Sequence, residues 1–254
     1  MKNLKVAVLG AGSMGTAIID GLIANGMTPS NISTLTNSAE SALKLTAKYP
    51  INAFSLEDDG ANNLATINHA DVIILATKPY LIVESVSQLV EPQLNKDALI
   101  VSVAAGITCA TIEAALPLGN PVVRAMPNTP AIVGKAITGI AAGSRANDRH
   151  LQLAVELFES IGKTLVLDES RIDALSTISG SGPAYVFFLV EKLIEAAKHP
   201  GRPVPCRRLP AWNRPTWVGC SQRQPMRPWP AHAKLRPATS PAACRPQRVA
   251  CKHE

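Results

Sequence analysis

The stretch Lys5-Val6-Ala7-Val8-Leu9-Gly10-Ala11-Gly12-Ser13-Met14-Gly15 decides the fold. Lys5 to Leu9 is a short apolar run bounded by glycine, the pattern of a strand buried on both faces. From Ser13 the period changes. Met14, Ala17, Ile18, Gly21 and Leu22 fall at i, i+3, i+4, i+7 and i+8, one face of a helix that Asn25-Gly26 then closes. Gly10-x-Gly12-x-x-Gly15 therefore lies between a predicted strand and a predicted helix, the context in which this pattern marks a dinucleotide-binding turn. Gly10 permits the tight turn and Gly12 lets the backbone approach a pyrophosphate. Gly15, with Ala17, lets the helix lie close on the sheet. The free N–H groups and the dipole of the helix start face the phosphates.

Outward from this unit, strands are expected at Ile32 to Leu35, Asp71 to Ala76, Ala98 to Val103, Pro121 to Ala125, Ala136 to Ala142 and Thr164 to Leu167. Helices are expected at Ala39 to Lys48, Tyr80 to Glu91, Thr108 to Leu116 and Asn147 to Ile161. Strands alternating with helices specify a parallel sheet covered on both faces. The fold class is α/β, a Rossmann-type doubly wound sheet over residues 1–168, followed by the start of an all-helical C-terminal domain over residues 169–198. There Arg171 to Thr177 reads as a helix, Ser179-Gly180-Ser181-Gly182-Pro183 as a break, and Ala184 to Lys198 as a second helix. Ala184 to Val190 is apolar without interruption, so this helix needs partners on all sides, and nothing downstream offers one.

Residues 199–254 are of another character. The chain carries a net charge of +6, but this tail alone holds 11 Lys/Arg against the single acid Glu254. It also contains 11 of the 20 prolines, all three tryptophans and four of the five cysteines, with no Ile, Phe or Tyr. Such composition has no periodic apolar face, and it is expected to be disordered and unrelated to the body, as a shift of reading frame near residue 198 would make it. A genuine basic tail is the alternative. Cys206, Cys220, Cys244 and Cys251 lack the paired close spacing of a zinc site, and no metal is expected. Cys109 stands alone in the body, which suits a reducing, cytoplasmic compartment. No apolar run approaches the roughly 20 residues of a membrane helix, and the N-terminus lacks a signal-peptide pattern.

The ends of the predicted strands carry the candidate site, because ligands in such sheets bind beyond the carboxyl ends of the strands. Thr34-Leu35-Thr36-Asn37-Ser38 offers amide and hydroxyl groups where NAD-specific sites place an acid, so NADP is favoured, with NAD as the alternative. Lys78, in Ala76-Thr77-Lys78-Pro79, is positioned to approach phosphate or ribose. Ser102-Val103-Ala104-Ala105-Gly106 leaves room for a cofactor against the backbone. In Arg124-Ala125-Met126-Pro127-Asn128-Thr129-Pro130, two prolines fix a loop bearing short polar side chains. No Ser/His/Asp or Cys/His constellation stands out, His69 and His150 have no evident partners, and no catalytic side chain is assigned. Hydride transfer needs none, since the cofactor carries the chemistry.

These motifs in this order, together with Ser179-Gly180-Ser181-Gly182-Pro183-Ala184-Tyr185, resemble pyrroline-5-carboxylate reductase from residue 3 to about residue 198. The resemblance implies NADPH- or NADH-dependent reduction of 1-pyrroline-5-carboxylate to L-proline, the last step of proline biosynthesis, in a homo-oligomer. It implies that the pyrophosphate lies on Leu9, Gly10, Ala11, Gly12, Ser13 and Met14. The adenosine 2′ side would lie near Asn37, with Asn63 close to it. Ala76, Thr77, Lys78 and Pro79, with Val103, Ala104 and Ala105, would hold the rest of the cofactor, and Asn128 would lie near the nicotinamide.

The departure from the family lies in residues 199–254. There the family continues its helical, intertwined dimerisation domain and carries a Ser-Pro-Gly-Gly-Thr-Thr-type loop for the substrate carboxylate. Thr239-Ser240-Pro241-Ala242 is only a chance likeness to it. The chain thus keeps the cofactor half of the site, and the substrate half and the oligomer are expected to be impaired. An inactive dinucleotide-binding remnant is the runner-up. A different Rossmann reductase, acting on a hydroxy acid or ketone, is a third reading, against which Ser179 to Tyr185 argues. Trp212, Trp217 and Trp229 among arginines could stack bases, but the tail matches no nucleic-acid module, and neither a nucleic-acid nor a membrane partner is expected.

Overall fold

The computed structural model describes residues 3–57, 67, 69–87, 94–116 and 119–198. Asn63 and the whole of 199–254 lie outside the described residues, as do the last residues of the helix expected to run to Glu91. Eight strands form one sheet: β1 (Val6–Leu9), β2 (Ile32–Thr36), β3 (Asn52–Ser55), β4 (Val72–Leu75), β5 (Leu99–Ser102), β6 (Val122–Met126), β7 (Ala136–Ala142) and β8 (Gly162–Val166). Their order is β3-β2-β1-β4-β5-β6-β7-β8. The reversal beside β1 is the topological switch point at which a doubly wound sheet opens its ligand crevice.

The helices are α1 (Ser13–Ala24), α2 (Ala39–Lys48), α3 (Ile82–Ser87), α4 (Cys109–Ala115), α5 (Asp148–Phe158), α6 (Ile172–Ser179) and α7 (Gly182–Lys198). Successive strand residues point to opposite faces. Val6, Val8, Ile74, Val101 and Val123 meet Ile18, Ile19 and Leu22 of α1 and Leu157 and Phe158 of α5. Ala7, Leu9, Ile73, Leu75 and Ile100 meet Ile82 and Val86 of α3 and Cys109 and Ile112 of α4. The near-continuous apolar strands are explained by these two separate cores, one on each side. None of the described helices is long and apolar enough to cross a membrane.

Two features depart from the sequence reading. Strand β3 was not expected: Asn52-Ala53-Phe54-Ser55 pairs parallel to β2 at the sheet edge, with only Phe54 as a large apolar residue to announce it. And the sheet is mixed, because β7 runs antiparallel to β6, pairing Val123 with Ala142 and Met126 with Gly139. Residues 127–135 join these strands through a single-turn 3-10 segment, Thr129–Val133. That is too little chain for the parallel crossover, which needs about a dozen residues or more. Strand β8 then pairs parallel to β7 across the helix α5.

His150 also has a partner after all. It closes a capping box at the start of α5, its N–H donating to Asn147 Oδ1 at 3.1 Å while its Nδ1 accepts from the Asn147 N–H at 3.2 Å.

Helix α6 is held to the sheet by polar contacts from the middle of β6. The Arg124 side chain, 3% exposed, donates to Asp173 at 2.7 Å and lies 3.6 Å from Glu169. The break before α7 narrows to Gly180-Ser181, for Gly182 already opens the helix, and Pro183 sits in a first turn that does not need its missing N–H. Along α7, Tyr185, Phe187, Phe188, Leu189 and Leu193 are all more than half exposed.

Candidate dinucleotide site

The chain leaves β1 at Leu9 and turns at Gly10, whose φ of +92° suits glycine. The Gly10 N–H donates to the Leu35 carbonyl at 2.9 Å and the Ala76 N–H to the Leu9 carbonyl at 2.8 Å, so the turn is stitched to the ends of β2 and β4. Packing separates the three glycines. A Cβ on Gly10 would come within 2.9 Å of the Ala76–Thr77 backbone, and one on Gly15 would collide with the Gly10 carbonyl. A Cβ on Gly12 would meet nothing within 4 Å. Gly10 and Gly15 are thus demanded by the protein itself. The absence of a side chain at Gly12, the N-cap of α1, serves the space outside. That space lies over the unpaired N–H groups of the first helical turn, where a phosphate is best accommodated.

Two adjoining cavities open from this turn along the carboxyl ends of β1, β2 and β4. One, of about 310 Å³, is walled by Gly10, Ala11, Gly12, Thr36, Asn37, Ser41, Ala76, Thr77, Lys78, Tyr80 and Leu81. The other, of about 220 Å³, is more enclosed, and Leu9, Leu35, Leu56 and Leu81 line it beside Asn37, Thr77, Glu84 and Ser85. The backbone N–H groups at the start of α1 suit a pyrophosphate, and the leucines beside them suit an adenine. Asn37 is exposed just past β2 and borders both cavities, where the ribose between those groups would fall. The Lys78 ammonium stands 5.9 Å from the centre of the Tyr80 ring at the groove's rim.

Of the residues expected from the sequence, Leu9, Gly10, Ala11, Gly12, Asn37, Ala76, Thr77 and Lys78 come together around this groove. Ser13 and Met14 lie on the first turn of α1 and Pro79 on the turn into α3, none of them in the cavity walls. Val103, Ala104 and Ala105 continue the same sheet edge past β5, since the Val103 N–H donates to Leu75 O at 3.1 Å, but they too lie outside those walls. Asn128 is engaged within the protein: its carboxamide oxygen accepts from the Ile137 N–H at 3.0 Å and its Nδ2 donates to the Ser179 carbonyl at 2.8 Å. The sequence reading passed over Ser41, Leu56, Tyr80, Leu81, Glu84 and Ser85. Of these, Ser41 was within reach of a sequence argument, one helical turn beyond Asn37.

Among the described residues no reactive thiol competes for a role. Burial, reinforced by the Glu169 carboxylate, pushes the Cys109 thiol up to about 12. Among the described residues no cluster of three or more His, Cys, Asp or Glu could hold a metal ion.

Residues 5–106 match the family described as NADP oxidoreductase coenzyme F420-dependent, and residues 169–205, running past Lys198, match the pyrroline-5-carboxylate reductase dimerisation family. Fold and glycine cradle together define the class, an NAD(P)-dependent oxidoreductase of the Rossmann type. A pyrroline-5-carboxylate reductase of Corynebacterium melassecola is 39% identical over 200 residues, 78% of this chain and 72% of its own length. The chain belongs to the pyrroline-5-carboxylate reductase family. A reductase of the same name from Pseudomonas aeruginosa is 36% identical over 202 residues, 79% of this chain and 71% of its own. Among solved structures, the Plasmodium falciparum pyrroline carboxylate reductase with NADP bound superimposes with a TM-score of 0.66 at 27% identity, over 78% of this chain and 70% of its own. Prephenate dehydrogenase from A. aeolicus, at 17% identity and a TM-score of 0.59, shares the fold alone.

Proposed function

We propose that the groove holds NADPH and that the reaction for which this chain was shaped is the reduction of 1-pyrroline-5-carboxylate to L-proline, in the cytoplasm, by a homo-oligomer. The observation that carries the reading is the open space at Gly12 over the start of α1, which a side chain could fill and the sequence leaves free. The two cavities beside it accommodate the adenosine half, with Asn37 and Ser41 toward the 2′ position and no acid at the end of β2 to repel a 2′-phosphate. Asn63, Val103, Ala104, Ala105 and Asn128 belong to the same reading through the family motifs. The family motif puts Asn128 near the nicotinamide, and its carboxamide ties β7 to the end of α6. Bound NADPH supplies the hydride, and the chain's own residues bind and orient it.

Turnover by this chain is a separate matter. Residues 199–254 contain no counterpart of the family's substrate-carboxylate loop, and the apolar α7 finds no cover among the described residues. NADPH binding with little or no reduction and a weakened oligomer are therefore expected. The test is a titration with NADPH beside an assay of NADPH oxidation with pyrroline-5-carboxylate. Binding without turnover supports the reading. Turnover at ordinary enzyme rates of about 1–10³ s⁻¹ refutes the impairment, and no NADPH binding refutes the site.

A further inference from the structure

We propose that Glu57 sets the balance between NADPH and NADH in this groove, acting as the acid that the end of β2 lacks. The inference rests on the reading that the groove holds a dinucleotide.

Beyond β3 the ladder continues for one residue, the Leu56 N–H donating to the Thr36 carbonyl at 2.9 Å. Leu56 is thereby set beside Asn37, and both line the smaller cavity. The next residue, Glu57, turns its carboxylate onto the start of α2, where Oε2 accepts from the Ala39 N–H at 3.0 Å. Its own N–H donates to Ser55 Oγ at 2.9 Å, which fixes the bend. Ala39 is the first residue of α2 and lies two positions from Asn37 and two from Ser41, both of them groove residues.

The start of a helix is the natural place for an anion. A 2′-phosphate beside Asn37 would draw on the donors and the positive potential of this helix start, and Glu57 already occupies them with a full negative charge. A ribose hydroxyl is neutral and meets no such opposition. In NAD-specific sheets the discriminating carboxylate stands at the end of the second strand. Here the neighbouring edge strand supplies it. The carboxylate therefore weakens NADPH and leaves NADH bound as it was, so that the two affinities lie closer together than the acid-free end of β2 implies.

The full chain is titrated with NADPH and with NADH, following nicotinamide fluorescence, as wild type, Glu57→Gln and Glu40→Gln. Glutamine keeps an oxygen to accept from the Ala39 N–H, so the helix start is preserved while its charge is removed. Glu40 lies in the same turn but is paired with Lys44 at 2.6 Å, and it controls for net charge. Glu57→Gln is expected to tighten NADPH by about tenfold and to change NADH by less than about twofold, with Glu40→Gln moving neither by more than about twofold. The gain for NADPH should shrink in high salt. Binding of both cofactors with an unmoved ratio in Glu57→Gln, or an equal shift in Glu40→Gln, overturns the role of Glu57 alone. Failure of the wild-type chain to bind either cofactor overturns the groove reading on which it rests.

Discussion

Helices α1 and α7 are both strongly apolar, yet they end in opposite circumstances. In α1, Ile18, Ile19 and Leu22 are at most 2% exposed, covered by β1, β4 and the segment that ends at Ile161. In α7, Phe187 and Phe188 remain 66% and 62% exposed. The sequence pattern anticipates the contrast. The apolar residues of α1 form one stripe, which one face of a sheet can cover. Those of α7 run all round, which no single neighbour can cover. A helix is buried by the surface available to it, and its own hydrophobicity supplies only the demand. The sheet of residues 3–168 meets that demand for its own helices, whereas α7 presents an apolar patch of several hundred Å². On that reading the first region has its stability and its ligand chemistry in hand, and the second waits on other surfaces.

The largest effect is expected in the covered helix. Leu22→Ala opens a cavity between α1 and the sheet and should cost about 2–5 kcal/mol in denaturant unfolding; a loss under about 1 kcal/mol would mean that this core is far looser than its burial implies. Next comes Gly12→Val, at the same helix's N-cap. NADPH affinity should fall about a hundredfold, equivalent to about 2.7 kcal/mol, with the melting temperature unchanged, because a side chain there touches only the groove. Wild-type affinity in this variant would detach the glycine turn from cofactor binding.

Asn37→Asp is expected to lower the affinity for NADPH relative to NADH by about 1–3 kcal/mol. An unchanged ratio of the two dissociation constants would place Asn37 outside the adenosine pocket. The smallest effect belongs to the uncovered helix. Phe188→Ala should change unfolding stability by less than about 0.5 kcal/mol while reducing self-association in light scattering. A cost as large as that of Leu22→Ala would show that α7 is covered in solution.

Much of this molecule can be read from its residues. The switch from strand to helix periodicity around Gly10-Ala11-Gly12 places β1, α1 and the phosphate end of the groove, because backbone conformation there is dictated locally. Strand β3 escapes such a reading because it borrows its conformation from β2: Asn52-Ala53-Phe54-Ser55 is a strand by pairing rather than by composition. The direction of β7 is not written in Ala136 to Ala142 either. It follows from the shortness of the connection at 127–135, a signal that was present and went unused. The groove divides in the same way. Residues at the ends of β1, β2 and β4 follow from topology, whereas Leu56, Leu81 and Glu84 reach it from elements whose placement depends on the finished sheet. The loop sequence announces Asn128 as a short polar side chain, but not its partners, the Ile137 N–H and the Ser179 carbonyl, which come from elements brought there by the finished sheet.

The open position at Gly12 also bears on stability in the absence of any ligand. Its φ of −72° is one that alanine adopts freely, and a methyl group there would meet no protein atom within 4 Å. Alanine would reduce the freedom of the unfolded chain by about 0.4–1 kcal/mol, which offsets its poorer rank at an N-cap, while encroaching on the approach to the helix start. Glycine therefore costs the resting fold little and leaves a bare stretch of backbone. Saturating NADPH should then raise the melting temperature of the wild type more than that of Gly12→Ala, so that the two heating curves, close together without cofactor, part when it is added.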